Sequence, residues 1–183
     1  PLWTGNSSWR RFTWNKRIKL CKRDIKKLIF KKTADILIQG AHTLERDYYT
    51  SKKILSQEYK NIFLNHWICA GRESELSHPG EYKTINIGSE SIIILKDQKN
   101  KIRSHYNLCR HRGTRICEKP DGKFSKSIQC GYHGWAYSLD GSLRGAPHMD
   151  KVPNFRKSDY SLHPVPLKLW EGFIFINLSA NPT

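Results

Sequence analysis

The sequence predicts a mostly β protein, α+β overall, in which small antiparallel sheets carry two ligand-bearing loops and follow an N-terminal helix. Three observations predict it. Residues 51–67 are apolar at helical spacing. From residue 82 onward, short apolar or alternating runs are separated by Gly, Asp and Ser. The stretches "CRHRG" (109–113) and "CGYHGW" (130–135) each put one Cys and one His in a glycine-containing loop.

In chain order, residues 1–41 hold eleven Lys/Arg against Asp24 and Asp35, which gives +9 of the total +16 and leaves +7 for the rest. Ile18, Cys21, Ile25, Leu28, Ile29 and Ile36 recur near helical spacing with lysines between them. This basic leader is read as helical or disordered and solvated. Because more than half of the excess charge sits there, no nucleic-acid or membrane partner is expected for the chain. Residues 42–80 form a helical lead-in: Ile54, Leu55, Ile62, Phe63 and Trp67 share roughly one face, and "HPGEY" (78–82) breaks the pattern.

Strands follow over 81–163. Tyr82 to Ile87 alternates, Gly88-Ser89 turns, Ser91 to Leu95 is apolar after its first residue, and Asp97 to Lys101 turns again before Ile102 to Asn107. Ala136 to Leu139 and Ser142 to Leu143 flank the turn at Asp140-Gly141 as a hairpin. In 164–183, "LHPVPLKLW" and "FIFINL" read as two strands about the tight turn "EG".

The length of 183 residues suits one domain with a real core and part of a second. No apolar run is long enough to span a bilayer and no secretory signal is evident, so a cytoplasmic protein is expected. A first residue of Pro1 and an end at Thr183, just past an apolar run, are read as the limits of a fragment. Five cysteines (Cys21, Cys69, Cys109, Cys117, Cys130) are an odd set in a chain of ordinary size, which favours metal binding or free thiols over a disulfide scaffold.

Cys109 with His111 and Cys130 with His133 therefore sit in two loops on a small sheet. Gly113, Gly131 and Gly134 surround them and permit conformations that other residues resist. A single tetrahedral zinc is one way to use two thiolates and two imidazoles, but its usual fingers pair Cys with Cys and His with His. One of each per loop suits a two-iron cluster with both thiolates on one iron and both imidazoles on the other.

The two motifs resemble the Rieske motif in the form found in the alpha subunit of Rieske non-haem iron (ring-hydroxylating) oxygenases. The likeness covers roughly residues 43–183 and includes "GAPHM" and "WEGFIFINLS". It implies a Rieske iron-sulfur fold and a 2Fe-2S cluster with Cys109 and Cys130 on the inner iron and His111 and His133 on the outer one. It implies relay of NAD(P)H-derived electrons, supplied by a ferredoxin or flavin reductase, to a mononuclear non-haem Fe(II). That iron would lie in a C-terminal catalytic domain of an oxidoreductase, a mono- or dioxygenase working as a homo-oligomer, a trimer. His148 and His163 lack the spacing and carboxylate of such an iron site, so these residues alone are expected to be inactive in oxygenation. The alternative is a stand-alone carrier of the Rieske ferredoxin type.

In the respiratory cytochrome-complex type of Rieske protein, a disulfide clamps the loops and a Ser and a Tyr donate bonds that raise the potential. Thr114 and Tyr132 stand where the clamping cysteines would fall, and Trp135 where the Ser would. Loss of clamp and donors points to the low end of a range of roughly −150 to +300 mV. The oxygenases usually have Pro at the position of Gly131. Outside the motifs, His42, His66, His78, His105, His148 and His163 are expected at the surface or hydrogen-bonded. Cys69 is expected to be packed and Cys117 a non-ligand. Trp135 and Tyr132 are expected to cover the cluster, and Arg110, Arg112 and Arg115 to meet a facing subunit or an acidic electron donor.

Overall fold

The computed structural model describes residues 43–179, 181 and 182. The leader over 1–41 and His42 lie outside the described residues. The lead-in forms as two short helices, α1 (Asp47–Thr50) and α2 (Lys52–Glu58), continued by a π-helical turn over Tyr59–Phe63. Extended Ser51 separates them, and its hydroxyl accepts the Ile54 N–H at 3.5 Å, as an N-cap residue should. The amphipathic run therefore ends as helix at Phe63. Trp67 leads instead into a strand that periodicity alone did not disclose.

Among the described residues, ten strands build three antiparallel sheets. The first contains β1 (Ile68–Arg72), β9 (Leu167–Trp170) and β10 (Phe173–Ile176), in the order β1-β10-β9. The second runs β4-β3-β2-β5, from β2 (Glu81–Ile87), β3 (Glu90–Lys96), β4 (Ile102–Tyr106) and β5 (Asp121–Lys123). The third is β6 (Ile128–Gln129), β7 (Ala136–Tyr137) and β8 (Leu143–Gly145). The predicted meander and both hairpins are thus present, whereas β1, β5 and β6 are additions.

Strand β3 explains the arrangement. Ile92, Ile93, Ile94 and Leu95 are all fully buried, which a strand reaches only when both its faces are covered. Alternation sends Ile93 and Leu95 to one core, with Trp135, Tyr137, Leu139 and both loop cysteines. Ile92 and Ile94 go to a second core, with Leu76, Ile174 and Ile176. Each such side chain contributes about 1.5–3 kcal/mol on burial, so this one strand fixes the site-bearing sheet and the β1-β10-β9 sheet to opposite faces of the meander.

Two expectations fail here. Cys69 is exposed rather than packed, because β1 turns its alternate residue Ala70 inward. His105 is buried at 4% exposure, and neither ring nitrogen has a hydrogen-bond partner. It faces the core because its strand places it opposite Ile93. His66, His78, His148 and His163 are exposed as expected.

Candidate functional site

Both loops close by the same pair of backbone bonds. The Cys109 N–H donates to Thr114 O at 2.8 Å, and the Gly113 N–H donates to Cys109 O at 2.9 Å. The Cys130 N–H donates to Trp135 O at 2.8 Å, and the Gly134 N–H donates to Cys130 O at 3.1 Å. Each Cys opens its loop and each fifth residue carries a left-handed backbone, Gly113 at φ +71° and Gly134 at φ +70°, where a side chain would be strained. Gly131 differs: its φ is not positive, and a Cβ built there would meet nothing within 4 Å. The loop does not depend on its freedom, and the family's Pro at that position would meet open space.

The closures sort the four side chains by type. Cys109 and Cys130 are each 2% exposed in the core. The Cys109 thiol is pushed up from its ordinary pKa, first by burial and further by the neighbouring Cys130. His111 and His133 are half-buried, with ring centroids 4.6 Å apart in an edge-to-face arrangement. Burial holds the His111 pKa below the usual histidine value, with the proximity of His133 and Arg112 acting in the same direction. Its Nδ1 is buried and has no hydrogen-bond partner. A buried imidazole nitrogen left so would cost free energy, whereas a metal ion would satisfy it.

Among the described residues, no group of three or more His, Cys, Asp and Glu is placed to hold a metal ion. The arrangement is instead a buried thiol pair and a half-buried imidazole pair. Two soft donors in the buried core and two imidazoles nearer water suit a cluster of two irons better than one tetrahedral zinc. The chemistry of this donor set fits the expected group. His148 and His163 are exposed and take no part in it.

Several side chains hold the loops in place. Trp135, 1% exposed, stacks on His111 at 5.0 Å and 11°, and Phe155 and Tyr160 pack edge-on against Trp135 at 5.9 and 5.8 Å. Tyr132 lies 3.8 Å from the His133 ring but is 63% exposed. Trp135 therefore covers one face of His111, while Tyr132, against His133, is itself open to solvent.

Two supporting residues escaped the sequence reading. Asn107 is 3% exposed at the end of β4. Its Oδ1 accepts the N–H groups of Ile116 and Cys117 at 3.0 and 2.8 Å, and its Nδ2 donates to Cys117 O at 2.7 Å, which brackets the first loop at both ends. Its position just before the Cys109 loop was the available signal, because Asn readily bonds nearby backbone. The second is Tyr137, fully buried, whose hydroxyl lies 3.3 Å from Cys109 Sγ and accepts the Arg110 N–H at 3.0 Å. The expected loss of every hydroxyl near the thiols is therefore corrected. Trp135 replaces one, but two residues later the alternation of β7 turns Tyr137 back to the loop.

Residues 66–156 match the Rieske [2Fe-2S] domain family. The chain is 37% identical over 145 residues to the carnitine monooxygenase oxygenase subunit of Escherichia coli (strain K12), covering 79% of this chain and 38% of that protein. It is 32% identical over 149 residues to the biphenyl 2,3-dioxygenase subunit alpha of Rhodococcus jostii (strain RHA1), covering 81% and 32%. A solved quaternary ammonium Rieske monooxygenase in complex with L-carnitine superposes with a TM-score of 0.70 at 37% identity, over 75% of this chain and 39% of the other. Naphthalene 1,2-dioxygenase from a Rhodococcus species does so with a TM-score of 0.70 at 32% identity, over 74% and 31%. The chain thus spans less than two fifths of the length of these relatives, and they are oxygenase subunits rather than stand-alone ferredoxins. On the agreement of motif, fold and sequence, residues 66–156 of the chain belong to the Rieske [2Fe-2S] domain family, and the chain is similar to the Rieske part of oxygenase alpha subunits.

Proposed function

We propose that Cys109, His111, Cys130 and His133 hold the 2Fe-2S cluster, the two thiolates on an inner iron and the two imidazoles on an outer one. The observation that carries this reading is a buried thiol pair and a half-buried imidazole pair supplied by two loops of matching closure. When bound, the group supplies a one-electron store. The chain's own part is to keep the thiols dry, orient the imidazoles through Trp135, and leave one edge open for electron entry. In the whole protein this serves a relay from an NAD(P)H-fed ferredoxin or flavin reductase to a mononuclear Fe(II) in a catalytic region, within a homotrimer in the cytoplasm. The division into 1–41 leader, 42–80 lead-in, 81–163 cluster domain and 164–183 strands leading to that region belongs to the same reading. No helix among the described residues is long and apolar enough to cross a membrane.

Anaerobically reconstituted protein is expected to bind two irons and two sulfides per chain, with the visible spectrum and reduced-state resonance of a Rieske centre. One zinc and no sulfide would refute the assignment.

A second expectation concerns Tyr137. A thiolate can only accept, so with the cluster bound the Tyr137 hydroxyl becomes the donor to Cys109 Sγ. The bond is worth more to the electron-rich reduced state than to the oxidised one. Tyr137→Phe should lower the potential by roughly 20–50 mV, since about 59 mV corresponds to a tenfold change for one electron. Protein-film voltammetry reads this directly, and an unchanged potential would show that the hydroxyl serves only the Arg110 N–H.

A further inference from the structure

We propose that Arg110 is a positioning residue for the electron store: its side chain latches residues 157–163 over the cover of His111, and the charge so fixed beside the candidate ligands raises the reduction potential. This deepens the electron-relay reading above and rests on it.

Arg110 lies between Cys109 and His111, and its two ends are held by different parts of the chain. Its N–H donates to the Tyr137 hydroxyl at 3.0 Å, which fixes the backbone to β7. Its guanidinium meets the segment that contains the 3₁₀ turn Lys157–Tyr160: Nη1 donates to Ser161 O at 3.3 Å and contacts His163 Nδ1 at 3.3 Å, and Nη2 donates to Asp159 O at 3.3 Å. A guanidinium has no acceptor, so His163 receives its contact on an unprotonated nitrogen. Burial first and the Arg110 charge next hold the His163 pKa below its ordinary value, in keeping with that role.

The latched segment is part of the site's packing. At its start Lys157 Nζ donates to Arg144 O at 3.0 Å, and at its end the N–H of buried Leu162 donates to Gly141 O at 2.8 Å. Between them Tyr160 packs edge-on against Trp135, which in turn stacks on His111. Arg110 thus ties the middle of the segment to the first loop.

The same bonds leave its charge without a counter-ion. All three acceptors are neutral, and Arg110 takes part in none of the ion pairs among the described residues. The Asp159 carboxylate is bound instead by Arg156 Nε at 2.9 Å. A cation that swings freely in solvent is screened, whereas a half-buried planar fork held at three points keeps its charge in one place. Reduction adds one electron to the cluster with no atom transferred, so a fixed positive charge one residue from each of two ligands favours the reduced state.

The test compares the cluster-loaded wild-type chain with Arg110→Gln and Arg110→Lys, reading the potential by protein-film voltammetry and the amides of residues 157–163 by hydrogen exchange with mass spectrometry. Arg110→Gln is expected to lower the equilibrium constant for reduction by about three- to tenfold, which is about 28–59 mV at about 59 mV per tenfold for one electron. Exchange over 157–163 should quicken by about tenfold or more. Lysine keeps the charge without the fork, so Arg110→Lys should quicken exchange similarly while holding the constant within about twofold of wild type. Lys52→Gln, which removes a cation from α2, should change neither reading. An Arg110→Gln chain with two irons and two sulfides that stays within about twofold of wild type, or whose exchange is unaltered, would overturn the proposal. If Arg110→Gln takes up no cluster, exchange is compared between the iron-free wild type and iron-free Arg110→Lys, and equal rates would overturn the latch. A wild-type chain that binds no iron and sulfide at all would instead refute the relay reading, with the latch still read by exchange in the iron-free chain.

Discussion

Cys109→Ser and Cys130→Ser are each expected to abolish the cluster, taking iron and sulfide from two per chain to near none and removing the visible spectrum. A serine alkoxide is too basic to form at neutral pH and is a poor partner for iron in a sulfide-bridged pair, whereas a thiolate is displaced from its proton by the metal. Each thiol also sits in the main core, 2% exposed, and is fixed there by a backbone bond across its own loop. Losing the cluster therefore removes the link between the loops, and because metal binding is coupled to folding, stability should fall by several kcal/mol, on the order of a tertiary core defect or more. Two controls make the result specific. Cys69→Ser changes an exposed residue of β1 and should leave iron content and melting temperature at wild-type values. Cys117 is the stricter control, since it is buried in the same core as the two ligand candidates and its thiol is pushed up to about 12 by burial, against a bond to Tyr82. A buried neutral thiol packs as a small apolar group, so Cys117→Ser should cost about 1–2 kcal/mol of stability by burying a hydroxyl while the iron content stays at two. Full iron and sulfide in Cys130→Ser, or their loss in Cys117→Ser, would reassign the ligands.

The contrast between those cysteines also marks what was legible in the sequence. The pairing of Cys with His at short spacing is local information, and the loops that carry it are closed by bonds within six residues, so the candidate site could be proposed without the fold. Strand β3 was equally legible because a run buried on both faces needs no partner to identify it. What failed depended on distant segments. Strand β1 forms against β10, about a hundred residues away, and a register shift between Cys69 and Gly71 interrupts its alternation; hence neither its existence nor the outward direction of Cys69 followed from "ICAGR". Strands β5 and β6, of three and two residues, are too short to show a period. Asn107 and Tyr137 are polar residues whose partners are loop backbone and a thiol, and their role appears only when the loop is folded over them.

His105 belongs to the same class of polar residue in an apolar place, and its consequence is a stability that depends on acidity. Burial depresses its pKa to about 4; the Arg103 charge acts in the same direction, and Asp140 opposes both weakly. Its ring lies against Gly141, where a Cβ would come 2.5 Å from Cε1, and both nitrogens are buried without a hydrogen-bond partner. In the unfolded chain the same histidine titrates near its ordinary value of about 6.5. Above that pH both states are neutral and the contribution is constant. As pH falls from about 6.5 to about 4, the unfolded chain takes up a proton that the folded chain refuses, and stability is lost over that window. The span of roughly 2.5 units at about 1.36 kcal/mol each gives a loss of about 3 kcal/mol, which levels off below pH 4 once both states are protonated. The direct measurement is the difference in urea-unfolding free energy between wild type and His105→Leu, taken at several pH values so that titrations common to both proteins cancel. Leu fills much of the same space and carries no unsatisfied nitrogen, so the variant should match or exceed wild-type stability at pH 7 and gain on it by about 3 kcal/mol at pH 4. A difference that stays flat between pH 6.5 and 4 would mean that His105 is protonated in the folded state, with the turn at Gly141 opening to let water reach it.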